Sequence, residues 1–357
     1  MSLLCLNGTD TALLARSFTP DALQKLMARV FCSLSQDSDP ASPASYAPHR
    51  SSISTPNHTI LFMPARIERP VGLLGTSIKV VSVPSSPADK RGLPASTLVM
   101  DEGTGAVKAI VNAAGLTALR NAAGSLLSCT LMGPEEPRNI VAFGAGAQIS
   151  AHLDVFLRAY STLTTCTVVN RATNDRARTL VDELRQRFSH VEIHLQQHET
   201  SSDPPSDAIR ETLLAADVII CATSSQIPLF PSSLVRDGTH LILIGSYKPE
   251  MHEVDRDLIR RALPHDLVVD SREACLKEAG ELIDAGIQGS EVVEIGELIP
   301  LDENGEPQLV RKRGPAQTSQ SVTIFKSVGI GLQDVAIACA VVKRAENMSV
   351  GQIIPWL

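Results

Sequence analysis

The amino-acid sequence predicts an α/β protein with a doubly wound parallel sheet beside a β-rich domain, and three stretches carry that expectation. In the first, residues 139–157 (NIVAFGAGAQISAHLDVFL), the apolar run 140–143 meets the breaker Gly144-Ala145-Gly146, after which Ile149, Leu153, Phe156 and Leu157 recur at helical spacing. That pattern is strand, tight turn, helix. In the second, short β-prone runs at 165–169, 192–195, 218–221, 240–244 and 267–270 alternate with helical segments, which implies parallel strands from about residue 116 to about 320. In the third, runs at 59–63, 72–83, 96–100 and 107–111 follow one another without a helix between them, the last two joined by a turn at 101–105. These make a first, β-rich domain.

The remaining elements follow in chain order. Thr19-Pro20 supplies a cap residue and a proline at the first helical position, and Leu23, Leu26, Met27, Val30 and Phe31 form the stripe that this helix buries. Residues 33–48 are rich in Ser, Pro and Asp, the composition of a mobile loop, and lead to Arg50 at the start of a strand. A helix at 116–131 carries Ala118, Ala122, Ala123 and Gly124, small residues that permit close packing. Further helices are expected at 174–188 and 331–345, with polar loops at 198–207 and at 301–320, where Asn304-Gly305 marks a turn.

Composition limits the functions open to such a chain. Its 357 residues suggest two domains, and 43% hydrophobic with 20% charged residues is the balance of an ordinary soluble protein. The formal net charge is -7, and the one basic run, Arg311-Lys312-Arg313, is short and lies in a polar loop, so no nucleic-acid partner is expected. No apolar stretch approaches the ~18 residues of a membrane span, and no secretory signal opens the chain. The seven cysteines are scattered without a C-x-x-C pair, as in a reduced, cytoplasmic protein. Asn7-Gly8-Thr9 and Asn57-His58-Thr59 match the glycosylation pattern and are read as chance. His190, His194 and His198 lie across a strand and a loop, where a spacing of four does not converge on a metal.

Two features bear on chemistry. A glycine turn feeding a helix lets backbone N–H groups approach a pyrophosphate, although positions 144, 146 and 149 read Gly, Gly, Ile, and a plain structural turn explains them as often. One βα unit later stands Asn170-Arg171-Ala172 where an NAD site would place an acid for the ribose hydroxyl. The Arg171 fork suits a 2′-phosphate instead, or is a solvated arginine opening the next helix. The second feature is basic. Lys79 interrupts an apolar strand, where a lysine is costly unless paired or working, and Arg50 and Arg120 could clamp an α-carboxylate. An edge-strand lysine and two surface arginines would fit the same pattern.

Taken together, Lys79-Val80-Val81-Ser82-Val83, Arg91-Gly92-Leu93-Pro94, the run 117–123, Gly144-Ala145-Gly146-Ala147-Gln148, Asn170-Arg171, Ala216-Asp217-Val218-Ile219, Gly245-Ser246-Tyr247-Lys248-Pro249 and Phe325-Lys326-Ser327-Val328-Gly329 resemble the ornithine cyclodeaminase and mu-crystallin family. The likeness runs from about residue 45 to the C-terminus. It implies a Rossmann domain, residues 116–322, inserted in a β-rich substrate-binding and dimerisation domain formed by 1–115 and 323–357. It also implies a homodimer built through that domain. By this resemblance Arg50 and Arg120 bind the substrate carboxylate and Lys79 is the acid or base beside the nitrogen. Gly144, Gly146, Ala147 and Gln148 form the pyrophosphate loop, and Asn170, Arg171 and Ala172 the 2′-phosphate site. Thr223, Ile244, Ser246 and Ser327 line the cofactor, NADPH in preference to NAD.

Tyr247 departs from the cyclodeaminase pattern, which places there an aspartate that handles the side-chain amine. The mu-crystallin-like branch also lacks that acid and resembles an NADPH-dependent ketimine reductase. The resemblance therefore implies reduction of a C=N bond next to a carboxylate, with Tyr247 shaping the substrate site. An ornithine-cyclising ammonia-lyase and a non-catalytic NADPH-binding protein are the alternatives. Asn121 stands where a threonine is usual.

Overall fold

The computed structural model describes residues 2–35, 45–48, 50–68, 75–86, 92–199, 205–312 and 321–355. Strand β1 (Ser2–Leu6) leads into helix α1 (Gly8–Arg16), whose N-cap Asn7 accepts from the backbone of Thr9 and Asp10 while Asp10 accepts from Asn7, a reciprocal capping box. The Asn7-Gly8-Thr9 triplet is thus a helix start. Helix α2 (Pro20–Ser35) buries Leu23, Met27, Val30 and Phe31 as its spacing predicts, while Leu26, expected in the same stripe, is half-buried. It takes up the first residues of the expected loop, strand β2 (Ser45–Tyr46) lies within that stretch, and residues 36–44 fall outside the described residues.

Strands β3 (Ser51–Ser54), β4 (His58–Ile67), β5 (Gly75–Pro84), β6 (Ala95–Met100) and β7 (Val107–Asn112) complete the run. Positions 72–74, expected in β5, and Arg91 lie outside the described residues. The sheet order is β1-β7-β6-β5-β4-β2, with β3 also on β4; β1 and β7 are parallel and the other pairs antiparallel. Alternation divides its two faces. Ser77, Lys79, Val81, Thr97, Val99, Ala109 and Val111 are buried on one, while Phe62, Ile78, Val80, Leu98 and Ile110 remain half-exposed on the other.

Helix α3 (Leu116–Met132) precedes the second sheet. There, β8 (Asn139–Phe143), α4 (Ala147–Ala159), β9 (Thr165–Asn170), α5 (Asp175–Arg187), β10 (Glu192–Gln197), α6 (Asp207–Ala215) and β11 (Val218–Cys221) alternate as expected, and β12 (His240–Leu243) follows with only a short 3-10 turn before it. Then come α7 (Arg256–Arg261), β13 (Leu267–Val269), α8 (Arg272–Glu278), α9 (Gly280–Asp284), β14 (Val293–Glu294) and β15 (Thr323–Lys326). All strands are parallel, in the order β10-β9-β8-β11-β12-β15-β13-β14. Chain direction across the sheet reverses between β8 and β11, and ligands of such sheets bind beyond the carboxyl ends of the strands at that reversal.

Helix α10 (Gly331–Met348) packs on β4 and β5, and β16 (Gln352–Pro355) pairs antiparallel with β1. Two compact units result, residues 1–120 with 301–307 and 330–357, and residues 121–300 with 308–329. The division falls inside α3 rather than before it. Strand β15, assigned from sequence to the returning segment, pairs instead with β12 and β13, because its four residues are buried on both faces, as a central parallel strand requires. Among the described residues no helix is long and apolar enough to cross a membrane.

Candidate functional site

Each unit carries its own group of chemically capable side chains. In the first, Lys79 lies on β5, a central strand and not an edge, opposite Met63 of β4 and Thr97 of β6. It is 3% exposed on the face beneath α10. Its ammonium nitrogen is 2.7 Å from Asp334 Oδ2, and it reaches Thr117 Oγ1 at 3.5 Å. The other carboxylate oxygen of Asp334 accepts from Arg120 Nε at 3.2 Å, while Arg120 Nη1 donates to Gln333 Oε1 at 2.7 Å. Lysine, carboxylate and guanidinium therefore form one buried row. Burial presses the Lys79 pKa down, Asp334 opposes this, and the charges of Arg120 and of the half-buried Arg50 reinforce it. The three cations singled out from sequence thus act on one another, and Asp334, which no motif marked, joins two of them.

In the second unit the turn after β8 has the form that a pyrophosphate needs. Gly144 has φ +110°, donates its N–H to Val169 O, and a Cβ there would stand 3.0 Å from Ala222 O, so only glycine fits. Gly146 caps α4 with no side-chain hydrogen bond, and an added Cβ would meet nothing within 4 Å. The first N–H groups of α4, at Ala147 and Gln148, follow this open position. Gln148 Oε1 also accepts from Asn121 Nδ2 at 3.2 Å, which gives the atypical Asn121 a definite contact. After β9, Asn170 donates to Ala172 O at 2.6 Å and so shapes the turn. Arg171 between them is exposed, with no hydrogen-bonded or acidic partner among the described residues. This loop offers what a dinucleotide needs: backbone donors for a pyrophosphate and an open glycine, with the exposed Arg171 beside them.

Of the four residues expected to line the cofactor, the three that carry a hydroxyl share one feature. Each hydroxyl is held by a buried acid: Thr223 Oγ1 donates to Glu253 at 3.0 Å, Ser246 to Glu281 at 2.5 Å, and Ser327 to Asp270 at 2.6 Å. Lys326, wholly buried on β15, donates to Ser246 Oγ at 2.6 Å and lies 3.4 Å from Glu281. Glu253 also accepts from the backbone of Thr223 and Gly245. Its pKa is pushed up to about 7 by burial, which Lys326 opposes and Glu281 reinforces. Ile244, buried after β12, donates its N–H to Cys221 O. Sequence reading missed all three acids and Lys326. The available signal was an acid or lysine next to an apolar strand end, as in Val269-Asp270 and Phe325-Lys326. Tyr247 is half-buried, with Lys248 Nζ 5.9 Å from its ring centre. His198 Nε2 is 2.9 Å from Leu229 O, and among the described residues no cluster of metal-ligating side chains occurs.

A model of the ornithine cyclodeaminase/mu-crystallin family matches residues 24–349. Ketimine reductase mu-crystallin of Mus musculus is 28% identical over 245 residues, covering 68% of this chain and 67% of its own. A Delta(1)-pyrroline-2-carboxylate reductase of Bacillus cereus is 26% identical over 306 residues, covering 84% of this chain and 85% of its own. Among solved structures, Thermococcus litoralis Delta(1)-pyrroline-2-carboxylate reductase, in complex with NADH and L-proline, shares the fold with a TM-score of 0.79 at 23% identity, over 98% of this chain and 99% of that one.

Proposed function

Because the chain belongs to the ornithine cyclodeaminase/mu-crystallin family, we propose that it is an NADPH-dependent oxidoreductase that reduces a C=N bond next to a carboxylate. The substrate is a cyclic ketimine or imino acid, and the product an amino acid. The observation that carries this reading is the buried row Lys79–Asp334–Arg120. When bound, the reduced nicotinamide supplies a hydride to the substrate α-carbon. Lys79 donates a proton to the imine nitrogen, aided by burial and by two neighbouring guanidinium groups that make its proton easier to release. Arg120 and Arg50 hold the carboxylate, and orientation of this kind contributes much of a catalysed rate. Gly144, Gly146, Ala147 and Gln148 receive the pyrophosphate; Asn170, Arg171 and Ala172 receive the 2′-phosphate. Tyr247, in place of an aspartate, favours the reductase over ornithine cyclisation. The protein works as a homodimer built through its first unit, in a reducing cytoplasmic compartment that keeps its cysteines free.

The test is absorbance at the reduced-nicotinamide band with a panel of cyclic imino acids, NADPH and NADH being offered separately, with ornithine assayed for ammonia in parallel. NADPH consumption is expected, with NADH used less well. Replacing Arg171 with Ala should weaken NADPH about tenfold or more and leave NADH nearly unchanged, since only the former presents a 2′-phosphate. Ammonia and proline from ornithine without net cofactor consumption would overturn the reductase assignment.

A further inference from the structure

Asp334 stands in the first turn of α10, where the helix dipole favours a carboxylate over a neutral acid. It is 2% exposed, and each of its oxygens faces a different cation, Oδ2 the ammonium of Lys79 at 2.7 Å and Oδ1 the Nε of Arg120 at 3.2 Å. Its neighbour Gln333 completes the arrangement without adding charge: Oε1 accepts from Arg120 and from Ile330 N, and Nε2 donates to Met27 Sδ. Around Lys79 the cross-strand residues Met63 and Thr97, and Thr117 on α3, are uncharged. Among the described residues, the charged groups acting on its ammonium are Asp334 from α10, Arg120 from α3 and Arg50 ahead of β3. One carboxylate therefore stands against two guanidinium groups and the cost of burial.

We propose that Asp334 is a positioning residue that sets the pH at which Lys79 changes charge, so that one side chain can give a proton during imine reduction and take it back during amine oxidation. The inference rests on the reductase reading of the same residues. In reduction a Lys79 N–H bond breaks and the proton joins the imine nitrogen, while the hydride for the new C–H bond at the α-carbon would be supplied by reduced nicotinamide when bound. Lys79 is left neutral and is reprotonated from water. In the reverse direction neutral Lys79 accepts the proton of the amine. A carboxylate beside the ammonium stabilises its charged form, so its removal makes Lys79 a stronger acid and a weaker base. A merely structural Asp334 would affect both directions alike at every pH.

The experiment compares pH profiles of kcat in both directions for the wild type, Asp334→Asn and Asp334→Glu. Asparagine keeps an acceptor for Arg120 and loses the charge. The alkaline fall of reduction and the rise of amine oxidation with pH should both move down by about one pH unit or more, which is about a tenfold loss of reduction at a fixed pH on that limb. Glutamate should return both limbs towards their wild-type positions. Limbs that stay in place in Asp334→Asn would overturn the proposal, whatever happens to the rate. If that variant does not fold, the uncompensated ammonium is the expected cause, and Lys79→Met combined with Asp334→Asn should recover the thermal midpoint. No recovery would also overturn the proposal. Lysine-labelled NMR, with the Lys79 signal assigned by its loss in Lys79→Met, gives a readout independent of turnover. Should the wild type reduce no imino acid, the reductase reading fails, while a lower Lys79 titration midpoint in Asp334→Asn still supports the pairing and an unchanged midpoint sinks it.

Discussion

His152 is wholly buried on α4, with Nδ1 2.7 Å from Gln148 O and Nε2 2.9 Å from Ser125 Oγ. The first contact requires N–H on Nδ1, and in the neutral ring that burial favours, Nε2 accepts from the serine hydroxyl. Burial lowers its pKa from 6.5 to about 4. The unfolded chain therefore binds the proton more readily between these values, and this histidine's contribution is complete above pH 6.5 and lost as pH falls towards 4, on the order of 3 kcal/mol. Glu253, raised to about 7, works in the opposite sense, favouring the folded state less as pH rises from 4.5. The comparison must therefore be made between proteins. Thermal midpoints of the wild type and His152→Gln across pH 4 to 7 should differ in slope, the variant losing less on acidification, and parallel curves would exclude His152 as the group. At this scale the sequence was informative only where a residue type was out of place. Lys79 inside an apolar strand stands out in any reading, whereas Asp334 in a helix with mixed polarity looks like a surface acid until the packing of α10 on β5 places it against the lysine. The acids behind Thr223, Ser246 and Ser327 were hidden for the same reason, since their partners are distant in sequence.

At the scale of elements, strand ends carry the demands. Gly245 follows β12, and a Cβ there would lie 1.9 Å from Thr223 O and 2.5 Å from Glu253 Oε1. Gly245→Ala must spread the ends of β11 and β12 or displace the glutamate, at a cost of at least about 1–3 kcal/mol. Gly146→Ala, by contrast, meets open space in the turn at the head of α4 and should melt like the wild type. Its methyl group stands where the pyrophosphate is expected, so NADPH affinity should fall. Calorimetric melting and a fluorescence titration of NADPH separate the two outcomes, and the proposed loop is wrong if Gly146→Ala binds as tightly as the wild type. The second sheet was legible because each βα unit repeats a local pattern, and strand 218–221 was read to the residue. Strand β1 and helix α1 were not read, since they stand apart from the repeating βα units and the nine-residue helix offers few periods of its own. The place of β15 depended on pairing across the chain, which no local pattern encodes.

At the scale of the whole molecule, the half-exposed face of the first sheet, with Phe62, Ile78, Val80, Leu98 and Ile110, and the exposed Ile53 and Ile353 near its two edges, leave apolar surface suited to a second copy. Light scattering should report twice the 38.2 kDa chain mass, and Val80→Glu should shift it towards one. A wild-type protein that is monomeric at micromolar concentration would remove the homodimer from the reading. The order of synthesis gives the circuitous path of the chain another meaning. Arg120 meets its carboxylate only 214 residues later, after the entire doubly wound unit has been made. On a ribosome the inserted unit can fold while the first still lacks the helix that covers its sheet, since domains generally fold as units during translation. Until α10 emerges, Lys79 and Arg120 are cations without the acid that joins them, and a nascent chain halted before that helix would carry the whole glycine turn of the second unit and an unfinished form of the proposed proton donor.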